Sequence, residues 1–141
     1  MQVPIPERLA RAWATFVEEE GDMGVPREAF VSRCLLTLDE RAQDDEARRA
    51  TVYDRLVLGD VYLALGCLTG HRRAMRRFMD RFGNYLRALA QQYTSTTSMG
   101  DEVEADMLAT LFTARKGHDA STARLQSYRG VGPLQGWLRV T

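Results

Sequence analysis

A chain of 141 residues with 45% hydrophobic and 27% charged side chains has the size and balance of one ordinary globular domain. Its 19 basic and 19 acidic groups cancel, so the molecule as a whole sets up no field that announces a polyanionic partner. No window approaches the roughly 18 consecutive apolar residues of a membrane span, and residues 1–7 lack the charged-then-apolar order of a secretory signal, so a cytoplasmic protein without a membrane partner is expected.

The charge is unevenly spread. Residues 1–60 hold 8 Arg against 13 acidic groups, a balance of −5, whereas residues 61–97 hold 6 Arg against Asp80 alone, a balance of +5. The basic cluster Arg72, Arg73, Arg76, Arg77, Arg81 and Arg87 has two open readings: a solvated helix face paired with the acidic N-terminal third, or a surface facing a polyanion.

In chain order the apolar residues recur at helical spacing. Pro6 can open a first helix, with Leu9, Ala12, Trp13, Phe16 and Val17 on one face and Gly21 at its end. Pro26 opens a second, with Phe30, Val31, Cys34, Leu35 and Leu38 as its stripe. The polar, acidic segment 39–46 is expected to be a loop leading to a third short helix, whose inner residues are Tyr53, Leu56, Val57 and Leu58. Asp60 is expected to cap a fourth helix that carries Val61, Tyr62, Leu63, Leu65, Cys67 and Leu68 and stops at Thr69-Gly70. A long helix from about His71 to Tyr93 follows, with Met75, Phe78, Met79, Phe82, Tyr85, Leu86 and Leu89 on its core side. Cys34 and Cys67 each sit in an apolar helical stretch and read as buried thiols of a reducing compartment.

The hydroxyl-rich stretch 94–98 reads as a linker, with Ser98 capping a helix that begins near Met99. In that helix Val103, Met107, Leu108, Leu111 and Phe112 form one face, and the acidic residues sit in its first turn, where the helix dipole favours them. Residues 117–121 read as a second loop. Gly130-Val131-Gly132-Pro133 must be a turn, with Pro133 at the first position of a last helix whose inner face is Leu134, Trp137, Leu138 and Val140.

That last stretch carries a resemblance. The acidic–apolar helix from Asp101, the loop, and then Tyr128-Arg129-Gly130-Val131-Gly132-Pro133-Leu134-Gln135-Gly136-Trp137-Leu138-Arg139-Val140 resemble region 2 of sigma-70 family initiation factors. The likeness is to the compact extracytoplasmic-function branch and, with Asp60 to Leu65, to the sigma-like proteins of myxobacteria. It covers roughly residues 60–141 and departs from the family at Ala105, where Gln is usual in the helix that binds the polymerase clamp. The expected architecture is therefore an all-α, multi-helix bundle, with a helical extension over residues 1–58 and a region-2-like domain over residues 59–141.

The resemblance implies the partners and the site residues. Core RNA polymerase, through the clamp of its largest subunit, would meet Glu102, Asp106 and Asp101. Promoter DNA at the −10 element would meet Arg129, Trp137 and Arg139, since aromatic rings stack on unpaired bases and guanidinium groups hold phosphates. Trp137 shares its spacing with Leu134 and Leu138, so a core anchor is the other reading for it. An anti-sigma or other regulatory protein is a further candidate partner. By the family pattern Thr141 lies within the promoter-reading helix; the chain is either a fragment or a short sigma-like protein, expected to read promoters poorly by itself.

Other chemistries find little support. His71 and His118 have no second ligand at zinc spacing, and Gly130-Val131-Gly132-Pro133 is too short for a phosphate loop and follows no strand. Asp101, Glu102, Glu104 and Asp106 spread over more than one helix face, so no metal, no cofactor and no enzymatic activity are expected. The competing functional class is a helical interaction module that occupies a sigma-binding surface without promoter activity. A helical enzyme, the third class, would need a pocket with convergent polar groups.

Overall fold

The computed structural model describes residues 3–92, 97–112 and 123–139. The chain is an all-α multi-helix bundle: α1 (Ile5–Glu20), α2 (Arg27–Ala42), α3 (Glu46–Arg55), α4 (Leu58–Leu68), α5 (Arg72–Gln92), α6 (Thr97–Phe112), a short 3-10 turn at Arg124–Ser127 and α7 (Leu134–Arg139). Helix α1 packs on α2 and α4, α2 on α3 and α4, α4 on α5, and α5 on α6, while the 3-10 turn bridges α6 and α4. No described helix is long and apolar enough to cross a membrane.

Local chemistry explains most boundaries. Pro4 and Pro6 start α1, where missing N–H groups cost nothing, and Gly21 ends it at φ +88° with its N–H on the Val17 carbonyl at 3.0 Å. Pro26 precedes α2 in the same way, and Asp45 caps α3 by accepting the Arg48 N–H at 3.0 Å. The amphipathic stripes predicted for α1, α2, α4 and α5 face one hydrophobic cluster, to which helices on both sides of residue 58 contribute. Tyr62 sits at its centre. Its ring stacks on Phe16 at 5.6 Å and meets Phe30 edge-on, and its hydroxyl donates to the Gly21 carbonyl at 2.8 Å while accepting the Met23 N–H. The α4–α5 crossing is close because residue 66 is glycine. A Cβ there would stand 2.7 Å from the Ala74 methyl and 3.1 Å from the Met23 Cβ. Cys34 and Cys67 are buried free thiols, and burial pushes each up to about 12.

Four local expectations need correction. Residues 39–42 belong to α2, not to a loop: the helix continues while Leu38 and Ala42 still reach the core, and Gln43, at φ +51°, breaks it. Leu56, Val57 and Leu58 lie outside the third helix; Leu56 instead forms an isolated antiparallel bridge with Val131. Asp60 does not cap α4, which starts at Leu58 after Val57. Helix α6 already includes Thr97, so Ser98 falls inside it and Asp101 lies beyond the first turn, which removes the dipole explanation for the acidic run. Tyr93, residues 94–96, the loop over 117–121 and Val140 lie outside the described residues.

Candidate functional site

Helix α6 divides the acidic run between two faces. Its inward face carries Gly100, Glu104 and Leu111, with Val103, Met107, Leu108 and Phe112 partly buried against α5 and the 3-10 turn. Glu104 is only 9% exposed and pairs with Arg87 of α5 at 3.6 Å, so this carboxylate serves the α5–α6 interface. Asp101, Glu102, Ala105 and Asp106 are all exposed. Their i, i+1, i+4, i+5 spacing makes one contiguous outer strip holding three carboxylates. Asp106 also edges a groove of about 250 Å³, whose walls include Leu86, Met107, Leu111, Arg124 and Leu138. The three acidic residues expected to act together are thus on one accessible face, with Ala105 in its middle.

The second half of the site is assembled around the 126–134 segment, and residues that sequence reasoning missed hold it. Arg33 of α2 donates from Nη2 to the carbonyls of Gln126 and, at 3.1 Å, Tyr128. Thr37, fully buried, donates to the Arg129 carbonyl at 2.8 Å. Burial, together with the neighbouring Arg129 charge, lowers the Arg33 pKa from its ordinary value. The chain then passes the antiparallel bridge, where the Val57 N–H donates to the Gly130 carbonyl at 2.8 Å and the Gly132 N–H to the Arg55 carbonyl at 3.2 Å. Gly130 is required twice over: its φ is +87°, and a Cβ would lie 2.5 Å from Val61 Cγ2.

Asp60 completes the attachment. Its side chain, 6% exposed, receives Arg81 Nη1 of α5 at 2.8 Å on one carboxylate oxygen, and the backbone N–H of Leu134 at 2.9 Å on the other. Asp60 is therefore a helix cap, as its residue type suggests, but of α7 rather than of its own helix. A carboxylate in the apolar run from Leu58 to Leu65, and a threonine in the run from Leu35 to Leu38, were the available signals, because buried polar groups need partners.

The three residues expected to meet DNA lie in different settings. Arg129 is engaged: its Nε pairs with Glu40 of α2 at 3.1 Å, and its Nη1 donates to the Gln126 carbonyl at 3.0 Å. Trp137 is half-buried and meets the Tyr128 ring edge-on at 5.9 Å, while Leu134 and Leu138 of the same helix are buried. Arg139 is exposed on the outer side of α7, beside exposed Gln135 and Gly136. Tyr128 donates its hydroxyl to the Gly132 carbonyl at 2.8 Å, and burial raises its pKa.

Half of the basic cluster on α5 is neutralised. Arg77 pairs with Glu20 at 3.4 Å, Arg81 with Asp60, and Arg87 with Glu104; Arg72, Arg73 and Arg76 form no ion pair among the described residues. No group of three or more His, Cys, Asp or Glu suited to holding a metal lies together among the described residues. Compared with known protein families, with curated proteins and with solved structures, the chain matches none.

Proposed function

We propose that the chain is a sigma-like transcription initiation protein of the bacterial cytoplasm that binds core RNA polymerase and contributes to recognition and melting of the promoter −10 element. The observation that carries the reading is the outer strip of α6. Asp101, Glu102 and Asp106 are presented together to solvent while Glu104 alone turns inward, which suits docking on a basic partner helix such as the clamp of the largest polymerase subunit. The glycine turn and α7 support it further, because the segment that resembles the promoter-reading part of a sigma factor is held against the bundle by Asp60, Arg33 and Thr37. Trp137 and Arg139 are the residues through which α7 would reach bases and phosphates.

A second reading is favoured by one contact. Arg129 is tied to Glu40, which fits a regulator that occupies a sigma-binding surface, or answers to an anti-sigma partner, without engaging promoter phosphates. The test is capture of core RNA polymerase by the intact chain beside a Glu102→Arg, Asp106→Arg variant. Binding by the unaltered chain and its loss in the variant support both readings, and melting of a promoter duplex by the polymerase complex, followed by base fluorescence, supports only the first. Absence of polymerase binding at micromolar concentration refutes the first reading and leaves the second only as a module for a protein partner other than polymerase.

A further inference from the structure

Three arginines outside the region of resemblance converge on one hollow. Arg41, in the last turn of α2, and Arg48 and Arg55, two turns apart on α3, line a depression of about 370 Å³ with Thr51, Val52 and Val131. All three are exposed, and none of their guanidinium groups forms an ion pair among the described residues. Their neighbour Arg49 behaves differently: it turns away and is neutralised by Asp39 at 2.7 Å, with a further bond to the Gln43 carbonyl. The nearby carboxylates do not fill the hollow. Asp44 and Asp45 border an adjoining depression shared with Arg41 and Arg48, and Asp45 is occupied as the α3 cap. Glu46 and Asp54 lie more than about 100° around the helix from Arg48, at 100° per residue.

We propose that Arg41, Arg48 and Arg55 form a grip for the phosphate backbone of nucleic acid, continuous with α7. Guanidinium groups are permanently charged and match phosphate geometry with paired donors, so three of them that form no ion pair among the described residues and line one hollow suit a polyanion. Seven residues separate Arg48 from Arg55, about 10.5 Å along the helix, close to three phosphate steps of one strand at roughly 3.4 Å of rise each. The choice of nucleic acid over other polyanions rests on the promoter reading given above and on position. Val131 is part of the hollow's wall and of the turn that feeds α7, and the Gly132 N–H is bonded to the carbonyl of Arg55 itself. A strand lying along α7 has this hollow at the N-terminal side of that helix. The α1–α3 segment then contributes directly to the nucleic-acid surface.

The test is the salt dependence of duplex binding by the intact chain, read by fluorescence anisotropy of a labelled promoter duplex and of a scrambled duplex. Replacing the three residues together, Arg41→Gln, Arg48→Gln and Arg55→Gln, is expected to lower the slope of log affinity against log salt by 2–3 units, at roughly 0.9 per phosphate contact. The loss is expected to be equal for both duplexes, since backbone contacts carry no sequence information. A control with Arg72→Gln and Arg76→Gln removes two other unpaired arginines and is expected to leave the slope unchanged. An unchanged slope in the triple variant, an equal fall in the control, or no duplex binding by the unaltered chain overturns the grip. A lowered slope in a chain that fails to bind polymerase leaves the grip standing and removes the sigma-like function. Polymerase binding with an unchanged slope does the reverse.

Discussion

Removing the Asp60 carboxylate tests how α7 is attached. In Asp60→Ala two contacts disappear: the cap on the Leu134 N–H, about 1 kcal/mol by analogy with other caps, and the charge-assisted bond to Arg81, about 1.5–3 kcal/mol for a buried group. The second figure belongs at its lower end, because the Arg81 side chain is 37% exposed and recovers water when its partner is gone. The sum is about 2.5–3 kcal/mol. With an unfolding entropy of roughly 2.1 cal/mol/K per residue over the 141 residues, that corresponds to a fall in Tm of about 8–10 °C. The reverse deletion has a different consequence. Arg81→Ala leaves a carboxylate 6% exposed with only one N–H donor, and is expected to cost at least as much although Arg81 is the more exposed partner. Urea unfolding of both single variants and the double variant, monitored by circular dichroism, gives the coupling energy, expected at about 1–2 kcal/mol. A cost below about 0.5 kcal/mol for Asp60→Ala, or zero coupling to Arg81, would refute the claim that this carboxylate joins α4, α5 and α7.

Three further outcomes follow from particular contacts. Gly130→Ala must place a Cβ at positive φ and 2.5 Å from Val61 Cγ2, so a loss above about 2 kcal/mol is expected in the same unfolding assay. Glu40→Gln releases Arg129 from an ion pair between groups 34% and 43% exposed. A pair that open is worth about 1 kcal/mol or less, so duplex affinity at fixed salt is expected to rise by no more than about fivefold, and a fall would count against a DNA role for Arg129. Cys34 and Cys67 are held as thiols up to about pH 12, whereas the same groups ionise near 9.0 when unfolded. Between those values the folded chain keeps protons that the unfolded chain releases, so their contribution is complete below pH 9 and is lost as pH rises towards 12. Slow reaction of both thiols with a disulfide reagent at pH 8, made fast by urea, is the check.

The helices were legible wherever one apolar face repeats at helical spacing, as in α1, α2 and α5, whose predicted inner residues enter the core. The outer strip of α6 could also be anticipated, because Glu102 and Asp106 stand four residues apart while Leu108, Leu111 and Phe112 fall on other angles of the helix. What could not be read was the pairing of distant polar groups. Asp60 carries the signature of a cap, yet nothing local distinguishes α4 from a helix 74 residues away. Arg129 reads as a free cation until α2 brings Glu40 beside it, and Thr37 is one hydroxyl among leucines until the Arg129 carbonyl is placed over it. The start of α6 was misplaced for a related reason: Ser98 resembles a cap, but the helix already includes Thr97.

The attachment of α7 also sets an order of events in folding. Six residues make fewer than two helical turns, and a helix that short is unstable by itself in water. Its first N–H is satisfied by Asp60, 74 positions earlier, and its entry turn is pinned to residues 55–57. The bundle that orients Asp60 must therefore be closed before α7 can persist. In hydrogen exchange the amides of α7 should open by a local transition of lower free energy than those of α4 and α5, making this end of the molecule the first to be released and the last to be regained.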